Sequence, residues 1–426
     1  MRRITVPVVL AAAVSAWAAD APPPSAAPVS APAETPAAPW TPSAAAPATL
    51  RDALALAWAR SPAGQALPAR GEQAQAAAEL ARGLAPGAPR VSLSALDDRF
   101  NHRAGRRELE AEIGVPLWLP GQREAQRSVA QAQLQSLADD GQARRLQLAG
   151  ELREAWWLLA AAREDAALQQ RRLASARALQ ADVERRQRAG ELARTDANSA
   201  AVETQSAEAA LADARLLERL AADRLSALTG AHAPAVLTAE PAVAAPPDAD
   251  AVHPRLAAAA AAVRVAQARL QLVERSAREA PEVSVRLLRE RGAADEPYAT
   301  AVGVRLSVPL ASAPRRLRDS AEVRAELLEA QATEAQLQTQ WALEQQAARR
   351  ERDAVEAKAA LAARRAALTA DTLALIQKSF SLGESDLPTL LRARAAAFDA
   401  ESDVRRLEVA RAAALSRLRQ ALGVLP

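Results

Sequence analysis

No cysteine occurs among the 426 residues, which excludes disulfides, thiolate metal sites and acylation of an N-terminal cysteine. Aromatic residues are only 3% of the chain, which argues against ordinary globular cores. Charge of one sign is also missing, with 54 basic residues against 51 acidic ones. The two signs alternate along the chain instead of gathering in a patch with stacking aromatics, so no nucleic-acid partner is expected. The three histidines, His102, His232 and His253, lack the i, i+4 spacing that puts two ligands on one helix face. They are expected to be ordinary surface histidines, with no metal or cofactor site. There is no Walker loop, dinucleotide-binding glycine pattern or G-x-S-x-G elbow, so no catalytic residue is assigned and an enzyme is not expected. Asp97-Asp98 and Asp139-Asp140 are expected to be solvated acids.

What is present is alanine and leucine at apolar positions among arginine, glutamate and glutamine, the composition of long, closely packed helices. Residues 1–20 carry Arg2, Arg3, an apolar run and Ala16-Trp17-Ala18, the pattern of a secretory signal peptide. The run is shorter than the roughly 18 residues of a spanning helix, and no later segment is expected to cross a bilayer as a helix. Residues 21–48 are a Pro/Ala-rich tether with too few large apolar side chains to offset the entropy of ordering. Thr49 and Asp52 resemble a capping box that opens the first helix; Ser61-Pro62 interrupts it, and a second helix runs to about Arg82.

The period then changes to two. Leu109, Ala111, Ile113, Val115 and Leu117 alternate with Glu108, Glu110, Glu112 and Gly114, which places apolar side chains on one strand face and carboxylates on the other. Arg90–Phe100 alternates less cleanly beside it. A second strand pair lies at about 281–309, with Val302, Val304, Leu306 and Val308 alternating with small or polar residues. Each strand is about ten residues, the length a tilted transmembrane β-strand needs. An isolated hairpin is marginal in water, and nothing else in the chain offers a surface to cover these apolar faces. Phe100, Tyr298 and Trp118 are candidate interfacial aromatics. The Glu108/Glu110/Glu112 row faces either a water-filled lumen or bulk water.

After Pro120 a helix can run without proline from Gln122 to Arg188, about 100 Å at 1.5 Å per residue. Its seam is Leu152, Leu159, Ala166 and Leu173, seven apart. Gly190 turns the chain, and the return arm ends at Thr229-Gly230. Pro116, Gly190 and Gly230 correspond to Pro309, Gly383 and Gly423, each pair separated by 193 residues, which marks an internal duplication. Repeat 1 spans 49–230 and repeat 2 spans 251–426, with a Pro/Ala linker at 231–250.

This order of helix, strand pair and long helical hairpin, twice over, resembles the TolC-like outer-membrane factor family across nearly the whole mature chain. The carrying segments are the strand ends "VPL", the tips "RAGELARTD" and "SLGESDLPTLL", and the endings "LTG" and "ALG". "VPLWLPGQR" is similar to members of heavy-metal-type efflux systems. The resemblance implies a homotrimer with a shared 12-stranded β-barrel in outer-membrane lipid, continued across the periplasm of a Gram-negative bacterium by a hollow α-helical barrel. It further implies a passive exit duct that meets a periplasmic adaptor and an inner-membrane pump of the RND type. The tip residues Gly190, Glu191, Leu192, Gly383, Glu384 and Ser385 become candidate adaptor contacts. Some members narrow the closed tip with acids just after the second tip glycine. Thr389 and Arg392 stand at those positions here, and Asp196 and Asp386 are the nearest acids, so an acidic aperture is not implied. A type I protein secretion duct shares the fold. A periplasmic coiled-coil adaptor or scaffold would instead show one hairpin beside a small β-rich domain.

Overall fold

The computed structural model describes residues 45–100, 104–241, 252–276, 278–310 and 313–426. The signal peptide, most of the tether, the second half of the linker and His102 lie outside the described residues. Helix α1 (Leu50–Arg60) opens with the expected box: Asp52 N–H donates to the Thr49 hydroxyl, and the Asp52 carboxylate accepts from Thr49 N–H. Ser61 ends α1 and caps α2 (Pro62–Arg82), its hydroxyl accepting from Gly64 N–H at 2.9 Å. Strands β1 (Arg90–Asp97) and β2 (Arg107–Pro116) follow, then α3 (Gln122–Arg188) and α4 (Arg194–Thr229). The order resumes with α5 (Pro254–Arg275), β3 (Glu282–Arg291), β4 (Ala299–Ser307), α6 (Ala313–Ser381) and α7 (Leu387–Ala421).

Helix α3 is bracketed by Gly121 and Gly190, both at positive φ, and no proline interrupts its 67 residues. Its seam residues Leu152, Leu159, Ala166 and Leu173 are buried, and it lies against α4, α5 and α7. The largest core gathers Leu50 and Leu54 of α1, Leu152, Trp156 and Leu159 of α3, Leu225 of α4 and Ala413 of α7. Alanine at the remaining contacts lets these backbones approach closely. Helix α6 is different. Leu361, Leu368 and Leu375, with Leu382 just past its end, stand seven apart and are 64–71% exposed, a coiled-coil stripe with no partner among the described residues.

Three expectations change, and the first part of the linker is held to the helices. In residues 231–241, Trp156 Nε1 donates to Thr238 O at 3.2 Å, and Glu240 is buried in an ion cluster. There Arg153 donates to both Glu240 oxygens at 2.7 and 2.9 Å, Arg419 donates at 3.1 Å, and the Ser416 hydroxyl donates as well. His253 is no surface residue. It caps α5 through Nδ1, which accepts from Arg255 N–H, and packs on Trp341, because α6 and the end of α7 cover that helix start. His232 is exposed. Asp97, Asp98 and Asp139 are partnered: Asp97 by Arg99 and Arg107, Asp98 by Gly105 N–H, and Asp139 by Arg264. Finally, α5 is long and apolar enough to cross a bilayer, with mean hydropathy 1.2. Its alanines serve packing instead, since it lies between α3 and α6, and its Arg264 and Arg269 pair with Asp139 and Glu326 on those helices.

Candidate functional site

The two hairpins join edge to edge into one antiparallel sheet, β1-β2-β3-β4. The register aligns Val91, Ile113, Val285 and Val304 in one row, and Leu93, Ala111, Leu287 and Val302 in the next. A single apolar face therefore crosses all four strands. It is solvent-accessible, with Val91 71%, Ile113 49% and Val304 75% exposed. Strands β1 and β4 each keep one unpaired edge among the described residues, and such an edge is a template for another strand.

The opposite face carries Glu108, Glu110 and Glu112, but not as bare carboxylates. Glu110 lies 3.6 Å from both Arg286 and Arg305. Glu112 lies 3.0 Å from Arg305 and accepts from the Ser284 hydroxyl. Glu108 has the more distant Arg106 at 3.7 Å. Arg286 and Ser284 were missed as part of this face; their signal is their place at alternate positions between Val283, Val285 and Leu287. The charge of the row is thus largely balanced by its own sheet.

The other end of the chain's long hairpins is built the same way twice. Gly190 N–H donates to Gln187 O at 3.0 Å and Glu191 N–H to Arg186 O at 2.9 Å; Gly383 N–H donates to Phe380 O at 3.1 Å and Glu384 N–H to Ser379 O at 3.0 Å. Both glycines sit at φ above +80° with open space around them, so the backbone turn and not crowding requires glycine. The structure brings the two tips together. Leu179 and Val183 of α3 pack with Phe380 of α6 and Leu387 and Leu390 of α7, with Leu192 against them, and the Arg186 guanidinium lies 5.2 Å from the Phe380 ring centroid. Gly190, Glu191, Gly383 and Glu384 are exposed, and Leu192 and Ser385 are half-buried.

The four aperture candidates prove to be engaged in helix starts. Asp386 caps α7 by accepting from Thr389 N–H at 3.0 Å, and Arg392 donates to the Thr389 hydroxyl at 3.1 Å. Asp196 accepts from Ala193 N–H at 3.2 Å in the matching turn of α4. The hydrogen bonds from Thr389, aided by the charge of Arg392, hold the Asp386 carboxyl below its ordinary value of 3.8. Its cap is therefore complete above the usual aspartate range and is lost as pH falls through the lowered value. Asp386→Ala is expected to speed amide exchange at Thr389 and Leu390 in the first turn of α7, while Asp386→Asn retains most of the protection. Equal exchange in all three proteins would show that the cap holds nothing.

No protein-family model matches the chain, and no curated protein matches it by sequence. Solved structures do match. The outer membrane protein VceC from Vibrio cholerae is 18% identical, with a TM-score of 0.71 over 88% of this chain and 96% of its own. The CmeC outer membrane channel of Campylobacter jejuni gives 14% identity and 0.72 over 88% and 85%. The open-state MtrE outer membrane channel of Neisseria gonorrhoeae gives 16% and 0.68 over 88% and 89%. Over most of its length, the chain has the fold of these outer-membrane channels.

Proposed function

We propose that the chain is the outer-membrane exit duct of a tripartite efflux system, passing substrate from an inner-membrane pump and a periplasmic adaptor to the outside. The observation that carries this is the four-stranded sheet with one exposed apolar face, one charge-balanced polar face and two open edges, joined directly to long helical hairpins. Four strands cannot close, and bacterial single-chain barrels start at eight. Three copies would supply twelve and would pair β1 of one with β4 of the next. The same association would cover the exposed leucine stripe of α6. The matching order and lengths, 67 and 36 residues for α3 and α4 against 69 and 35 for α6 and α7, support a duplicated unit of 49–230 and 251–426 joined by 231–250.

On this reading the apolar face meets lipid, and the Glu108/Glu110/Glu112 face with its arginines lines a water-filled lumen. The paired tips around Gly190 and Gly383 would present Glu191, Leu192, Glu384 and Ser385 to the adaptor. Chemistry is absent from the proposal; direction and energy come from the pump. The test is cell fractionation followed by mass determination of the detergent-extracted protein without heating. An outer-membrane trimer is the expected result. A soluble periplasmic monomer would overturn the proposal, because the strands would then never meet lipid.

A further inference from the structure

At the hairpin end of the sheet the two faces carry opposite charge. On the polar face Glu108 stands opposite Glu290, whereas on the apolar face Arg107 stands opposite Arg291, and Arg289 follows opposite Leu109. The Arg289 and Arg291 guanidinium carbons lie 4.7 and 5.0 Å from the Tyr298 ring centroid, and Arg107 reaches the Tyr298 hydroxyl. Three cations therefore surround one phenol. Arg107 has a carboxylate, Asp97 at 3.1 Å, but shares it with Arg99 at 2.8 Å. Arg289 and Arg291 have no acidic partner among the described residues; Arg291 Nε donates to Gly105 O, and Arg289 is exposed. Clustered like charges repel, so the arrangement favours an added anion. Planar guanidiniums match phosphate oxygens in paired hydrogen bonds.

The place of this cluster selects the anion. It sits where the apolar band of Leu287 and Val302 ends, at the sheet end opposite the junctions with the helices. Resting on the outer-membrane reading, with the helices in the periplasm, that end lies in the outer leaflet and the cluster lies on the lipid-facing wall. We propose that Arg107, Arg289, Arg291 and Tyr298 form a docking site for a phosphorylated lipid headgroup of the outer leaflet. The guanidiniums take the phosphate, and the acyl chains lie along the apolar rows below. A free phosphate gains nothing from that apolar surface, which is why a lipid is the occupant.

The test is native mass spectrometry of the full, detergent-solubilised protein with three separate probes: bis-phosphorylated lipid A, the same lipid with its phosphates removed, and inorganic phosphate. Phosphorylated lipid A alone is expected to remain bound. Arg289→Ala with Arg291→Ala is expected to weaken it at least about tenfold, the loss of charge-assisted contacts, while the paired Arg→Lys variant, which keeps the charge but not the paired hydrogen bonds, falls between it and the wild type. Equal binding of dephosphorylated lipid A, equal binding by the alanine variant, or binding of inorganic phosphate in place of the lipid would overturn the site. Flotation of the same preparations with phosphatidylcholine vesicles separates the two levels. If all float and lipid A binding is unchanged by substitution, only this site fails. If none floats, the membrane reading fails and the site with it.

Discussion

Glu240→Ala is expected to destabilise the protein by about 3–5 kcal/mol, the range for removing one partner of a buried ion pair. The side chains of Arg153 and Glu240 are only 2% and 4% exposed, and Arg419 is 10% exposed. Without the carboxylate, two buried guanidiniums face each other. Arg153 would keep Gln420 and Val424 O, and Arg419 would keep Pro241 O and Leu425 O, but no negative charge would remain between them. Burial by itself raises the Glu240 pKa. Hydrogen bonds from Arg153 and Ser416 and the charges of Arg153 and Arg419 outweigh it and hold the carboxyl below its ordinary value of 4.5. A depressed carboxyl stabilises fully above the unfolded value and loses its contribution as pH falls through the folded one. Acid should therefore weaken the wild type more steeply in that window than Glu240→Ala, which lacks this carboxyl. Trp156 and Trp157 report on this spot directly, since their Nε1 groups bond Thr238 O and the Ser416 hydroxyl. Thermal unfolding followed by tryptophan emission checks both claims. A variant that melts with the wild type, or an unchanged acid response, would show that the cluster does not hold the 231–241 strap.

Ile113→Arg is expected to block membrane insertion, by about 2–4 kcal/mol for a cation near the bilayer midplane on a barrel's lipid face. Ile113 lies within the Val91–Ile113–Val285–Val304 row, flanked above and below by apolar rows. An arginine there has no carboxylate in its own row or in the rows next to it. Glu110→Gln is the matched control, because Glu110 is on the other face beside Arg286 and Arg305 and should insert normally. Urea-resistant membrane association and vesicle flotation measure the difference. Normal insertion of Ile113→Arg would reverse the assignment of the two faces.

Much of the local structure was legible in order. The span of α3 followed from Pro120-Gly121 at one end and Gly190 at the other, and the capping pair Thr49–Asp52 marked α1. The strands were legible from their period of two. The arginines that balance Glu110 and Glu112 were not, because β3 lies more than 150 residues beyond β2 and only the register sets Arg286 beside Glu110. The aperture candidates were legible as positions but not as caps, since capping depends on where a helix starts to within one residue. Alanine-rich α5 is apolar enough to pass for a membrane helix, and its two ion pairs to neighbouring helices decide for packing.

By itself the sequence determined the elements, their order, the two-faced strands and the tip turns, since periodicity, capping and glycine at positive φ act over a few neighbouring residues. Only the tertiary structure decided that the two hairpins make one sheet with a common apolar face, that Glu240 locks a supposed linker between α3 and α7, and that the carboxylate row is matched by arginines. Those depend on contacts between residues far apart in the chain, whose pairing is chosen by burial and charge compensation once the helices have packed.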